Sequence, residues 1–542
     1  VNLSFFGATE MVTGSNYMLT TENHNILIDC GMFQGNQEKE KMNFREFPFN
    51  PAEVDILILT HAHIDHSGRI PKLVKEGFRG RIIATKATYD LCTIMLLDSA
   101  KIQESDAEWD NRKRQRAGLP MIEPLYTSED AEQSLKYFET YLYEQKVDIN
   151  GEISLRFRDA GHILGSSILE LWINDKGVST KLVFSGDIGM PGRPIINTPE
   201  FIEDADYLIM ESTYGDTIHP PFKESTEKMI RIIDETAERG GTVLIPSFAV
   251  GRTQELIYEL NHYYEYGDIE QHMRVPIYID SPMAVNATEI FQKNSGSFNK
   301  ETQELILSGD NPFSFDNLHY VRSQEESMAL NKSSYPKVII SASGMANAGR
   351  IRHHLKHNIW DPKNSLIFVG YQAEGTLGRI LLDGVKRVKI LGEELNVALQ
   401  IHNLEGFSGH ADQPFLLKWL GEFKKKPKKI FLVHGEKEVS QIFAKEIEKA
   451  YGINCIIPKL GNTYSVAIDA IEVEKGITLE PEILKEQISK ELESVYNQFN
   501  ALISRSNGLF DEKLLEKDFD LLKNKLLELQ GQLMDLNMMI GK

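Results

Sequence analysis

Four side chains able to hold a metal sit within the six residues His61-Ala62-His63-Ile64-Asp65-His66. They follow the apolar run Val54–Leu59. That run reads as a buried strand because it is short and alternates β-branched residues with leucine. A strand that stops at Thr60 throws His61, His63, Asp65 and His66 onto one loop at the sheet edge. Neutral imidazoles and a carboxylate are ligands that zinc prefers. The competing reading is a polar surface loop that happens to carry histidines. With 15 histidines in 542 residues, three within six is a large departure from chance.

An HxHxDH pattern after a strand resembles the metal motif of the metallo-β-lactamase superfamily. The resemblance asks for further ligands downstream, and each has a candidate. Asp159-Ala160-Gly161-His162 places a histidine on a glycine-flanked loop. Ser185-Gly186-Asp187 follows the strand-like Lys181–Phe184. Phe431-Leu432-Val433-His434 ends a third apolar run, and Ile26-Leu27-Ile28-Asp29 ends a fourth. Alone, a histidine of this kind is more often a hydrogen-bonded core residue than a ligand. Together, in the superfamily's order and each at a strand end, they form one signal.

Three more motifs narrow the family. Met210-Glu211-Ser212-Thr213-Tyr214-Gly215, Phe407-Ser408-Gly409-His410-Ala411-Asp412 and Val433-His434-Gly435-Glu436 resemble motifs A, B and C of the β-CASP nucleases. The opening Phe6–Ser15 is more similar to the cleavage-and-polyadenylation type than to RNase J. The match covers residues 1–470 and leaves out the stretch after it.

The resemblance implies an α/β fold: a metallo-β-lactamase αββα sandwich with an inserted β-CASP domain built on a parallel sheet. It implies sandwich residues 1–212 and 396–475 around an insert at 213–395. Strand–loop–helix units at Thr242–Pro246, Pro276–Asp280, Lys337–Ser341 and Leu366–Gly370 agree with such an insert. Strands are also expected at Arg81–Ala84, Leu169–Ile173 and Tyr207–Met210, and mostly helix from Tyr89 to Lys146. Within that helical stretch, Arg112–Arg116 is a basic run, read as a solvated face or a nucleic-acid contact.

Carried over residue by residue, His61, His63 and His162 would hold one metal. Asp65, His66 and His434 would hold a second, with Asp187 shared. Nitrogen and oxygen ligands without thiolate suit two zinc ions and admit manganese or iron. Asp29 would orient ligands or water. His410 would be the general acid and Glu211 its carboxylate partner, raising its pKa. With Asp65 and Asp29 these form the expected catalytic set. Small-residue loops at strand ends present backbone N–H groups to anions. They suggest substrate phosphates near Ser343, Gly344 and Arg350, with Arg252 and Arg379 on two similar turns.

The leading function is therefore a ribonuclease hydrolysing single-stranded RNA, endonuclease favoured. Alternatives are a 5′-to-3′ exoribonuclease and a small-molecule metallohydrolase. A DNA substrate and a scaffold that has lost catalysis are further options. The balance of 59 basic against 79 acidic residues, −20 net, argues against broad nucleic-acid affinity. Binding needs only a local basic cleft, so weak unspecific affinity and strong salt dependence are expected. Three scattered cysteines without a CxxC pair predict a reducing compartment. No run of about 18 apolar residues predicts a membrane span. Nor does a basic region followed by an apolar block suggest a signal peptide. A cytoplasmic protein is the expectation.

From Pro481 the composition shifts to Leu, Glu and Lys, within an expected C-terminal helical extension at 476–542. Leu484, Ile488, Leu492, Val495, Phe499 and Leu502 recur at spacings of three and four, and so do Leu515 to Leu536 after the turn Ser506-Asn507-Gly508. That period predicts a helical hairpin with an apolar seam on each arm. The seams either pack within the chain or join two copies as a homodimer.

Overall fold

The computed structural model describes residues 1–267, 274–373, 375–466 and 471–474, together with Lys525. Val1–Gly476 forms one compact unit, and Ile477–Lys542 forms a second. The helical hairpin and its proposed dimer contact fall in the second unit, outside the described residues.

Two sheets face each other in the first unit. One runs in the order Ile471–Glu474, Thr463–Val466, Asn2–Phe5, Tyr17–Thr20, Asn25–Ile28, Ile56–Ile58, Arg81–Thr85, Phe138–Tyr141. The other runs Cys455–Ile456, Lys429–Val433, Tyr207–Glu211, Val178–Phe184, Ser167–Asp175, Ile153–Asp159, Val147–Asp148. Successive strand residues point to opposite faces. Ile26, Ile28, Ile56, Ile58 and Ile83 therefore meet Leu169, Leu182, Phe184, Ile209 and Phe431 in a core between the sheets. Their neighbours Leu27, Leu57 and Ile82 pack outward against Ile70, Leu73, Leu91 and Leu96 of the helices Ile70–Lys75 and Lys86–Arg116. On the far side, Leu208, Ile430 and Leu432 pack on Phe415, Trp419, Phe443 and Ile447 of the helices Gln413–Gly421 and Lys437–Tyr451. The result is the αββα sandwich.

A third sheet is parallel throughout its described strands, in the order Leu318–Tyr320, Ile277–Ile279, Lys337–Ser341, Thr242–Pro246, Ser365–Phe368, Gln400–Asn403. Its central strands are buried along their whole length, as a parallel sheet covered on both faces requires. The strand Gln400–Asn403 belongs to this sheet and lies past the expected boundary at residue 395.

The Tyr89–Lys146 stretch is mostly helical, as expected, and also contributes one strand. The helix Lys86–Arg116 is followed by the short helix Ser128–Ser134 and then by Phe138–Tyr141, which adds as a strand beside Arg81–Thr85. Phe138, Thr140 and Tyr141 are β-forming side chains, and pairing with the free sheet edge decides the state of this segment. Among the described residues no helix is long and apolar enough to cross a membrane.

Candidate metal centre

Parallel strands end together at one rim of the sandwich. Asn25–Ile28 runs alongside Ile56–Ile58, while Val178–Phe184 and Lys429–Val433 flank Tyr207–Glu211. Loops at the carboxyl ends of such strands are where ligands bind in open α/β sheets. Ile56–Ile58 leads to His61 and His63. A single helical turn, Ile64–Ser67, then carries Asp65 and His66. Val178–Phe184 leads to Asp187, Lys429–Val433 to His434, and the loop after Ile153–Asp159 to His162.

These side chains converge. The ligand atoms of His61, His63, His162 and Asp187 all lie within 4.8 Å of one another, as do those of Asp65, His66 and His434. Asp187 faces both groups with different oxygens. Its Oδ2 is 3.4 Å from His61 Nε2 and 3.5 Å from His162 Nε2. Its Oδ1 is 3.3 Å from His66 Nε2, and in that second group His434 Nε2 lies 3.4 Å from Asp65 Oδ2.

The site fits metal ions. His61 Nε2 and Asp187 Oδ1 are buried with no hydrogen-bond partner. Buried polar atoms left unpaired are costly, and a cation between them removes that cost. Burial, with some help from neighbouring imidazoles, pushes His61 down to about 3 and His63 down to about 4. Both rings are therefore neutral at physiological pH, the state a metal requires.

The second ring nitrogens are also held. His66 Nδ1 donates to Asp29 Oδ2 at 2.7 Å. Asp29 also accepts from Thr60 N and Thr60 Oγ1, at 2.8 and 2.9 Å. Thr60 Oγ1 lies 3.1 Å from His61 Nδ1, Thr213 Oγ1 lies 3.0 Å from His434 Nδ1, and the Gly409 carbonyl lies 3.2 Å from His162 Nδ1. Thr60 and Thr213 were not singled out from sequence. Their positions, directly before His61 and inside motif A, were the available signal. Asp29→Ala should weaken metal affinity by about 10–100-fold, the usual effect of losing a partner behind a ligand. Competition with a chelator of known affinity measures this.

The loops meet backbone to backbone. A Cβ on Gly189 would stand 1.6 Å from the Gly161 carbonyl oxygen, beside His162, and one on Gly31 would stand 1.6 Å from that of Asp65. Gly189→Ala should therefore force the His162 and Asp187 loops apart. The expected result is a loss of at least about 1–3 kcal/mol in stability from overpacking. Denaturant melts and metal content should fall together.

His410 sits beside these groups. Its Nδ1 is 3.1 Å from Glu211 Oε2 and its Nε2 is 3.9 Å from Asp187 Oδ2. Glu211 is buried and also accepts from Ile188 N. The Ala411 N–H donates to the Ile188 carbonyl at 2.8 Å, pinning the segment that carries His410. Burial pulls the imidazole pKa down, but Glu211, then Asp187 and Asp65, outweigh it and lift it to about 9.

Of the expected phosphate contacts, Arg252 and Gly344 are buried, Ser343 and Arg350 half-buried, and Arg379 exposed. Arg252 is buried and ion-paired with Glu255. Arg350 donates to Asp280 Oδ1 at 2.7 Å and to the Arg322 carbonyl at 3.0 Å. Arg379 Nε donates to Asp383 Oδ1 at 2.9 Å. Each guanidinium thus already has an acidic partner. Ser343 Oγ lies 3.3 Å from the Ala348 carbonyl, and Gly344 lies beneath the Phe248 ring.

The chain matches the Beta-Casp domain family over residues 253–381. It matches the Zn-dependent metallo-hydrolase RNA specificity domain over residues 394–458, and the metallo-beta-lactamase superfamily over residues 11–119. It is 41% identical over 434 residues to Ribonuclease TTHA0252 of Thermus thermophilus, covering 80% of this chain and 93% of that protein. It is 34% identical over 489 residues to Transcription termination factor FttA of Methanocaldococcus jannaschii, covering 88% of this chain and 72% of that protein. The FttA of Pyrococcus horikoshii is 34% identical over 478 residues, with coverage of 84% and 70%. The geometry of the rim and these likenesses agree: the chain belongs to the β-CASP family of the metallo-β-lactamase superfamily and is a metallo-hydrolase.

Proposed function

We infer that the protein is a ribonuclease that cuts single-stranded RNA internally, with two zinc ions as cofactors. The observation that carries this is Asp187, whose two oxygens face two separate ligand groups, with His410 beside them. His61, His63 and His162 would hold one ion, and Asp65, His66 and His434 the other. Two such ions supply Lewis acidity and lower the pKa of water. All seven donors are nitrogen or oxygen, so manganese or iron is also compatible.

The remaining chemistry belongs to the chain. Hydrolysis of a phosphodiester leaves an alkoxide that needs a proton. His410 Nε2 faces the metal-binding carboxylate, and its Nδ1 is tied to Glu211. The imidazole is thus oriented with its free nitrogen toward the reacting group and carries a proton to deliver. Glu211 is not one of the clustered metal-ligand candidates, so its charge stays available to His410 when metals neutralise Asp187 and Asp65.

RNA as substrate is supported by the ribonuclease relative and by the match to an RNA specificity domain. Internal cutting is supported by the similarity of Phe6–Ser15 to the cleavage-and-polyadenylation type. Incubating the purified full chain with 5′-labelled and with 3′-labelled single-stranded RNA tests both points. Internal fragments from either label are expected. Release of single nucleotides from the 5′ label would make it an exonuclease. No cleavage by a fully metallated protein would overturn the ribonuclease reading.

A further inference from the structure

Phe248 is an apolar ring held out in solvent. It lies on the loop between the strand Thr242–Pro246 and the helix Arg252–Tyr266, and 43% of its surface is exposed. Yet its place is well defined. A Cβ on Gly344 would stand 2.9 and 3.0 Å from two of its ring carbons, and one on Gly370 would stand 3.8 Å away. Neither glycine has a positive φ, so the backbone does not require glycine at either position. At Gly344 the missing side chain makes room for the ring. Phe248 therefore rests one side on the ends of two neighbouring strands and leaves the other side open.

The loop that carries the ring borders the metal rim. Gly251, on the same loop, would meet Ile163 Cγ2 at 2.9 Å, next to His162. Tyr371, beside Gly370, is 41% exposed, and its hydroxyl donates to Glu436 Oε1 at 3.3 Å, two residues past His434. The Tyr371 ring is 6.5 Å from the Tyr214 ring, which is 6.2 Å from the His410 ring. Aromatic side chains thus lead from the third sheet to the general acid.

We propose that Phe248 is a stacking platform for an unpaired base of the substrate beside the bond that is cut, with Tyr371 next along the path. This rests on the ribonuclease reading and adds a subsite to it. A base inside a duplex has both faces covered by its neighbours and offers only its edges. Only an unpaired, splayed base can lie flat on an exposed ring. Every base has such a face, so the subsite selects single strands without selecting sequence. Stacking also gives affinity that salt does not screen, which suits a chain of net charge −20.

The test is a coupling experiment. KM is measured for wild type, Phe248→Ala, Phe248→Leu and Phe248→Trp on one RNA, intact or with an abasic nucleotide at each position around its cut site. For wild type, one abasic position should raise KM by roughly 5- to 150-fold, the range of base–aromatic stacking. Phe248→Ala and Phe248→Leu should show that loss on intact RNA and no further loss at that position. Phe248→Trp should stay close to wild type, and the wild-type loss should be the same at low and high salt. The platform is overturned if Phe248→Ala cuts intact RNA like wild type. It is also overturned if its loss adds to the abasic loss at every position. Failure of wild type to cut any RNA would overturn the ribonuclease reading and the platform with it. Uncoupled losses in an active enzyme would overturn the platform alone.

Discussion

Asp187→Ala should yield a folded chain that retains little metal and cuts no RNA. Asp187 is buried, and among the described residues it is the only carboxylate whose oxygens face both ligand groups. Burial alone pushes its carboxyl up, but the imidazoles of His434 and His66 hold it well below the usual range, so it is ionised. Removing it leaves imidazoles clustered with neither counterion nor shared ligand. The loss should exceed the about 10–100-fold expected for a partner one step behind the metal, such as Asp29. Metal analysis after gel filtration, paired with the RNA assay, measures the outcome. Two metals retained per chain with full activity would remove Asp187 from the centre.

His410→Ala should behave differently. Metal content should stay intact while turnover falls by about 10²–10⁴-fold, the usual contribution of a general acid. A substrate whose leaving group needs no proton should recover much of that loss. The variant leaves buried Glu211 without its imidazole, so His410→Asn, which keeps a donor near that carboxylate, serves as the folding control. Equal damage to both substrates, in both variants, would give His410 a structural role instead.

The residues that cluster at the rim were legible because each is set by a local event, a strand that stops and a loop that turns. Their order along the chain then did the rest. Partners reached through space were not. Nothing near Asn2–Phe5 announces that it will pair with Thr463–Val466, and both are only four residues long. Thr60 and Thr213 are ordinary polar residues until the fold brings imidazoles to them. The arginines show the opposite case. Glu255 lies three residues from Arg252 and Asp383 four from Arg379, spacings at which helical ion pairs form. Those pairs are readable in the sequence. Asp280, the partner of Arg350, comes from a different strand end and also holds the buried His354 at 2.6 Å. Only the assembled third sheet shows that.

Ser212 bonds to Val433 across 221 residues of chain, and Asn2 pairs with Ser465. A ribosome makes these partners far apart in time. A nascent chain that has passed Asp187 already holds six of the seven metal-facing residues, yet it lacks His410 and His434. Contacts of such separation form late and slowly. A chain that ends before His410 therefore lacks both the third member of the Asp65–His66–His434 group and the imidazole partner of Glu211.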